Sequence, residues 1–160
     1  MTANPYSPPK AKVADSLEEE APPIWNPNAA ANWSLIFSPA FGAFLQMRNW
    51  RALGEDAKAA SAKGWFIASL AVLAVYIVLG LAVRDPRAAD GASRTLALVY
   101  LIVWYFSAGR SQAKYVKEKF GAAYPRRGWA KPLLIGVLAF VGYVALAFVI
   151  GILVGVARRA

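Results

Sequence analysis

The chain has 160 residues, 18 Lys and Arg against 9 Asp and Glu, a net charge of +9, no Cys and no His. Without Cys there is no disulfide, thiolate nucleophile or thiolate metal site, and without His the commonest general base and metal ligand are missing. The hydrophobic share of 58% exceeds the roughly 45–50% of soluble domains and is gathered in blocks, so the expected class is an all-α integral membrane protein.

Residues 1–28 hold six of the ten prolines and carry the acidic run Glu18–Glu20. That composition reads as a disordered, partly polyproline-like tail. It contains no apolar run of the signal-peptide kind, so insertion through the chain's own first membrane segments is expected.

Four apolar blocks follow. The first, residues 29–47, reaches about 28 Å as a helix. Asn26 and Pro27 suit its N-cap and first position. Pro39 interrupts it, and Asn32, Ser34, Ser38 and Gln46 make it the least apolar block. Ser34, Ser38 and Gly42 fall four apart, a small-residue stripe suited to close helix packing. Two readings stay open: a full span kinked at Pro39, or a re-entrant or interfacial segment. The second block, residues 65–83, is uncharged and about 28 Å long, matching a hydrocarbon core of about 30 Å. The third, residues 95–109, is about 22 Å and extends through Arg110 and Lys114, whose long stems snorkel. The stretch before it, residues 84–94, carries Pro86 and Gly91 and reads as an ordinary turn. The fourth, residues 132–156, is about 37 Å and spans with tilt. Ala147, Gly151 and Gly155 form a second small-residue stripe there.

Charge sidedness orients the blocks. With four spans, the loops at 48–64 and 110–131 share one side and hold eleven of the Lys and Arg, against seven opposite. The positive-inside rule makes both loops cytoplasmic. If the first block does not span, the tail joins them and the split becomes thirteen to five. Each basic loop ends in a basic-Gly-Trp step, at Lys63 and Arg127, an echo that suggests two parallel helical hairpins. Trp50, Trp65 and Trp129, with Trp104 and Tyr105, read as rings at headgroup depth.

No acid lies within an apolar block. Proton- or cation-coupled transport needs a titratable group at membrane depth, and paired catalytic carboxylates are absent from any plausible pocket. No phosphate loop, nucleophile elbow or metal spacing occurs. The expectation is no catalytic site, no cofactor and no metal. Between apolar blocks the basic surplus points to anionic lipid rather than nucleic acid. Loop three concentrates it, in Arg110, Lys114, Lys117, Lys119, Arg126, Arg127 and Lys131. Ala113, Val116, Phe120 and Ala123 lie on the other face of a helical extension that ends at Gly121.

The opening "NPYSPPKAKVAD" and the run "WNPNAAANWSLIFSPAFGAFLQMRNWRALG" resemble a group of small multi-pass membrane proteins of Gram-negative bacteria. The shared features are an Asn-Pro-Tyr start and a Pro-containing first segment followed by Asn-Trp-Arg and Leu-Gly. The likeness covers residues 3–65. It implies a bacterial inner membrane and nothing about mechanism. The functional expectation is a structural or accessory subunit that packs on a protein partner, or on itself as a homo-oligomer, and contacts anionic lipid. A small oligomeric channel or passive carrier is the alternative.

Overall fold

A computed structural model describes residues 21–159; of the tail read over residues 1–28, residues 1–20 lie outside them, while Ile24 is buried and a helix opens at Pro27. Within the described residues the chain is helical: α1 (Pro27–Phe37), α2 (Pro39–Ala52), α3 (Asp56–Ala82), α4 (Pro86–Trp104), a π-helical turn (Tyr105–Gly109), α5 (Ser111–Phe120) and α6 (Ala130–Ala157). Three helices are long and apolar enough to cross a membrane: α3, the continuous rod from Pro86 to Phe120, and α6.

The first block is not a fourth such helix. Asn26 caps α1 through Oδ1, which accepts from the backbone N–H of Asn28 and Ala29, and Pro27 takes the first position. The helix then stops outright rather than kinking. The residue before a proline is pushed out of the α region, and Ser38 takes φ 93° and ψ 160°. Pro39 opens α2 afresh. At about 16 Å and 21 Å, α1 and α2 are each shorter than a hydrocarbon core. They fold back on one another. In a straight helix Ser34 and Gly42 would lie about 12 Å apart, yet a Cβ on Gly42 would sit 2.0 Å from Ser34 Oγ. Ala30 of α1 shares a cluster with Phe41 and Leu45 of α2. The stripe Ser34, Ser38, Gly42 is therefore no helical stripe: Ser38 is the break, and the other two face each other across a hairpin.

Other boundaries move as well. Loop one shrinks to Leu53–Glu55, because α2 runs to Ala52 and α3 starts at Asp56. The stretch read as a turn at 84–94 is helical from Pro86, capped by Asp85, whose carboxylate accepts from the Arg87 N–H. The extension of the third span ends as expected, at Gly121 with φ 67°. The two halves are not alike, since a broken hairpin stands where the echo required a rod.

Contacts fix the directions. Tyr143 donates to the Leu73 carbonyl and Arg158 to that of Leu81, so α6 runs parallel to α3. The chain before α1 meets loop three: Ile24 N–H donates to Pro125 O at 3.2 Å and Arg127 N–H to Ile24 O at 2.9 Å. Trp25 Nε1 donates to Gly128 O at 3.0 Å. Both ends of the α1–α2 hairpin thus lie at the loop-three end of the bundle. Pro132 and Gly136, in its first turns, are the buried residues of α6, and beyond them its side chains are exposed or half-buried. A Cβ on Gly136 would come 3.1 Å from the Phe41 ring.

Candidate functional site

The polar chemistry gathers where α2 meets the π turn. The π turn inserts one residue into the helical register, so Arg110 N–H donates to Tyr105 O. That shift leaves the Ala108 and Gly109 carbonyls without regular helical partners. Gln46 Nε2 donates to both, at 3.2 and 2.8 Å. Gln112 Nε2 returns a bond to Gln46 O at 3.0 Å, and Gln112 Oε1 accepts from Asn49 Nδ2 at 2.9 Å. Asn49 also donates to Trp25 O at 2.8 Å and accepts from the Trp25 N–H at 3.0 Å. Gln46, Asn49 and Gln112 are fully buried. Every buried polar side chain among the described residues is uncharged. Trp104 is the fully buried ring beneath this network, against Ala31 and Ala108. Its indole N–H has no hydrogen-bond partner among the described residues.

At the mouth, Trp50 and Tyr115 meet edge to face with centroids 5.0 Å apart. The Lys58 ammonium lies 3.9 Å from the Tyr115 centroid and 5.0 Å from that of Trp50, and 3.1 Å from the Glu55 carboxylate. Tyr115 donates its hydroxyl proton to Glu55. That bond, with a second from Lys58, holds the Glu55 carboxyl below the usual carboxylate range. Trp50 and Trp104 are thus interior rings, not the headgroup belt expected of them.

Two hollows flank α5. A cleft of about 430 Å³ lies between α3 and the π turn, lined by Lys58, Ser61, Trp65, Ser107, Ser111, Lys114, Glu118 and the rings above. A shallower groove of about 630 Å³ on the other flank is lined by Asn28, Phe106, Arg110, Ala113, Lys114 and Lys117. Of the seven basic residues expected to act together, Arg110, Lys114 and Lys117 share this groove. The rest disperse: Lys119 lies over the Phe120 ring, Arg126 over Tyr124 and Arg127 over Trp25, and Lys131 is exposed at the start of α6. Gly151 and Gly155 lie on the exposed length of α6, where an added Cβ meets nothing within 4 Å, and Ala147 is half-buried.

Sequence reasoning missed Asn49, Gln112, and the Glu55, Lys58 and Tyr115 cluster. A signal was present for the amides. Gln46 closes the least apolar block and Asn49 follows three residues on, a spacing that puts both on one face if the helix continues.

The fold is that of an α-helical membrane protein with a short helical hairpin packed beside three longer apolar helices. No family model, curated protein or solved structure matches the chain.

Proposed function

We propose that this is a non-catalytic subunit of the bacterial inner membrane, holding anionic lipid at its basic end and packing through apolar helix faces beside other membrane proteins. What supports the reading above all is the groove in which Arg110, Lys114 and Lys117 converge beside the exposed Phe106 ring. Cations at the end of a membrane rod meet the headgroup layer, where each is worth about 1 kcal/mol against anionic lipid. Arg110 stacks on Phe106 at 4.8 Å, which keeps its guanidinium at the groove. The loops at 48–64 and 110–131 are cytoplasmic in this reading. The α1–α2 hairpin is re-entrant from that side and brings the N-terminus with it, which accords with the thirteen-to-five split of basic residues. The small-residue face at Ala147, Gly151 and Gly155 is open to a protein partner or a second copy.

Gentle detergent extraction with identification of co-purifying proteins and lipids tests it. A fixed protein partner and enrichment of anionic over zwitterionic lipid are expected. A monodisperse monomer with bulk lipid composition would refute it. The hairpin that turns at Ser38 also favours a second reading, a small channel, since re-entrant segments line pores. Ion flux from liposomes holding the purified chain alone would select that reading.

A further inference from the structure

We propose that the cleft between α3 and the π turn seats a glycerophosphate group, with the phosphate on the lysines and the glycerol hydroxyls on the acceptors. This rests on the lipid-binding reading and moves the specific contact from the open groove to the cleft.

The inventory of donors and acceptors carries the argument. Lys58 enters from α3 and Lys114 from α5. Lys58 does not swing freely: the Glu55 carboxylate and two aromatic faces hold its ammonium, so it is a positioned cation. The Ser61 and Ser107 hydroxyls are exposed and line the cleft; each supplies one O–H donor to an anion. The acceptors are just as definite. Ser111 commits its proton to the Ala108 carbonyl at 2.7 Å, leaving its oxygen to accept. Gln46 commits its amide N–H groups to Ala108 and Gly109, leaving Oε1 to accept. Glu118 adds a carboxylate, 3.9 Å from Lys114.

A bare phosphate would satisfy the lysines and leave the Ser111 and Gln46 oxygens unmatched. A bare polyol would do the reverse. A phosphate carrying free hydroxyls matches both halves. A volume of about 430 Å³ lies within the usual range for small-molecule sites. The Trp50, Trp65 and Tyr115 rings supply apolar walls for the glycerol carbons. Such a group occurs as a lipid headgroup, in phosphatidylglycerol, or free, as glycerol 3-phosphate.

The test titrates the delipidated full chain in detergent by calorimetry with short-chain phosphatidylglycerol, phosphatidylcholine and glycerol 3-phosphate. Phosphatidylglycerol is expected to bind at least about tenfold tighter than phosphatidylcholine, which lacks both the hydroxyls and the net negative charge. Tight binding of glycerol 3-phosphate instead would assign the same cleft to a soluble ligand. The double substitution S61A/S107A removes two donors at exposed positions, and S61W fills the cleft from α3. Each is expected to weaken binding about tenfold, while R84Q/R87Q, at exposed positions on the opposite end of the molecule, leaves it unchanged. If R110Q/K117Q in the groove abolishes binding and the cleft variants do not, the cleft assignment falls and the anionic-lipid reading stands. If phosphatidylglycerol and phosphatidylcholine bind alike and glycerol 3-phosphate does not bind, both fall.

Discussion

The loop-three end of the molecule and the far length of α6 are held in different ways. At the first, a hairpin, a π turn and a stretch of extended chain are joined by hydrogen bonds among Trp25, Gln46, Asn49 and Gln112. At the second, nearly every apolar side chain is exposed, and beyond the first turns the hydrogen bonds from Tyr143 and Arg158 to α3 join α6 to the rest. The contrast follows from the solvent. Lipid tails are as apolar as leucine, so an apolar face gains little by choosing a protein neighbour over lipid. A buried amide has no such freedom: without a partner it forfeits about 1–3 kcal/mol. Polar groups therefore specify the packed end, and apolar residues leave the other end available.

The largest effect is expected from Gly42→Leu. Its Cβ would meet Ser34 Oγ at 2.0 Å and the Trp104 ring at 2.7 Å, so the hairpin must open, at a cost of about 3 kcal/mol in detergent unfolding. The matching change on the other region, Gly151→Leu, is expected to leave monomer unfolding unchanged, because nothing lies within 4 Å. Equal losses at both sites would erase the distinction.

Next comes Asn49→Leu, which strips partners from the Trp25 backbone and from Gln112. A loss of about 2 kcal/mol is expected, along with faster hydrogen exchange at Trp25. A loss below a few tenths would mean that the amides do not specify the packed end.

The hairpin itself is checked by labelling, since the natural chain has no Cys. Pro23→Cys and Ala123→Cys are expected to react with an impermeant thiol reagent from the same side of the membrane, and Ala92→Cys from the opposite side. Reaction of Cys at 23 and 92 from one common side would restore a four-span topology.

The smallest effect is electrostatic. The Glu55 carboxyl titrates below its ordinary value of 4.5 because Tyr115 and then Lys58 hydrogen-bond its charged form. A depressed folded-state value adds stability above the unfolded value and loses it as pH falls through the folded one. The small stability gap between the natural chain and Glu55→Gln is therefore expected at pH 7 and absent well below pH 4.5. A gap that persists in acid would mean that shape rather than charge holds Tyr115.

Which features were legible follows the same division. Spans α3 and α6 show as long uncharged runs, because no other arrangement satisfies a backbone in lipid. The helical extension to Gly121 was visible in its apolar face and its stop residue. The hairpin was ambiguous: Pro39 announces a disturbance, but a proline in a membrane helix is compatible with a kink, a break or a reversal. The reversal involves residues far away in sequence, since Gly42 sits against both Ser34 and the Trp104 ring. The basic residues of loop three were visible as a group, yet their dispersal onto the rings of Phe120, Tyr124 and Trp25 depended on where those rings lie.

The amino-acid order alone determined that the chain carries long apolar blocks that prefer hydrocarbon, read as four where three helices prove long enough to span, that basic residues lie between them, and that no thiol or imidazole chemistry is present. Those are properties of composition along the chain, settled residue by residue against the surrounding solvent. Tertiary structure decided that the first block turns back on itself, that a π turn offers two carbonyls to Gln46, and that Lys58, Ser61, Ser107 and Lys114 surround one cleft. Each of these joins elements that are distant in sequence, through hydrogen bonds whose geometry exists only once the helices have met.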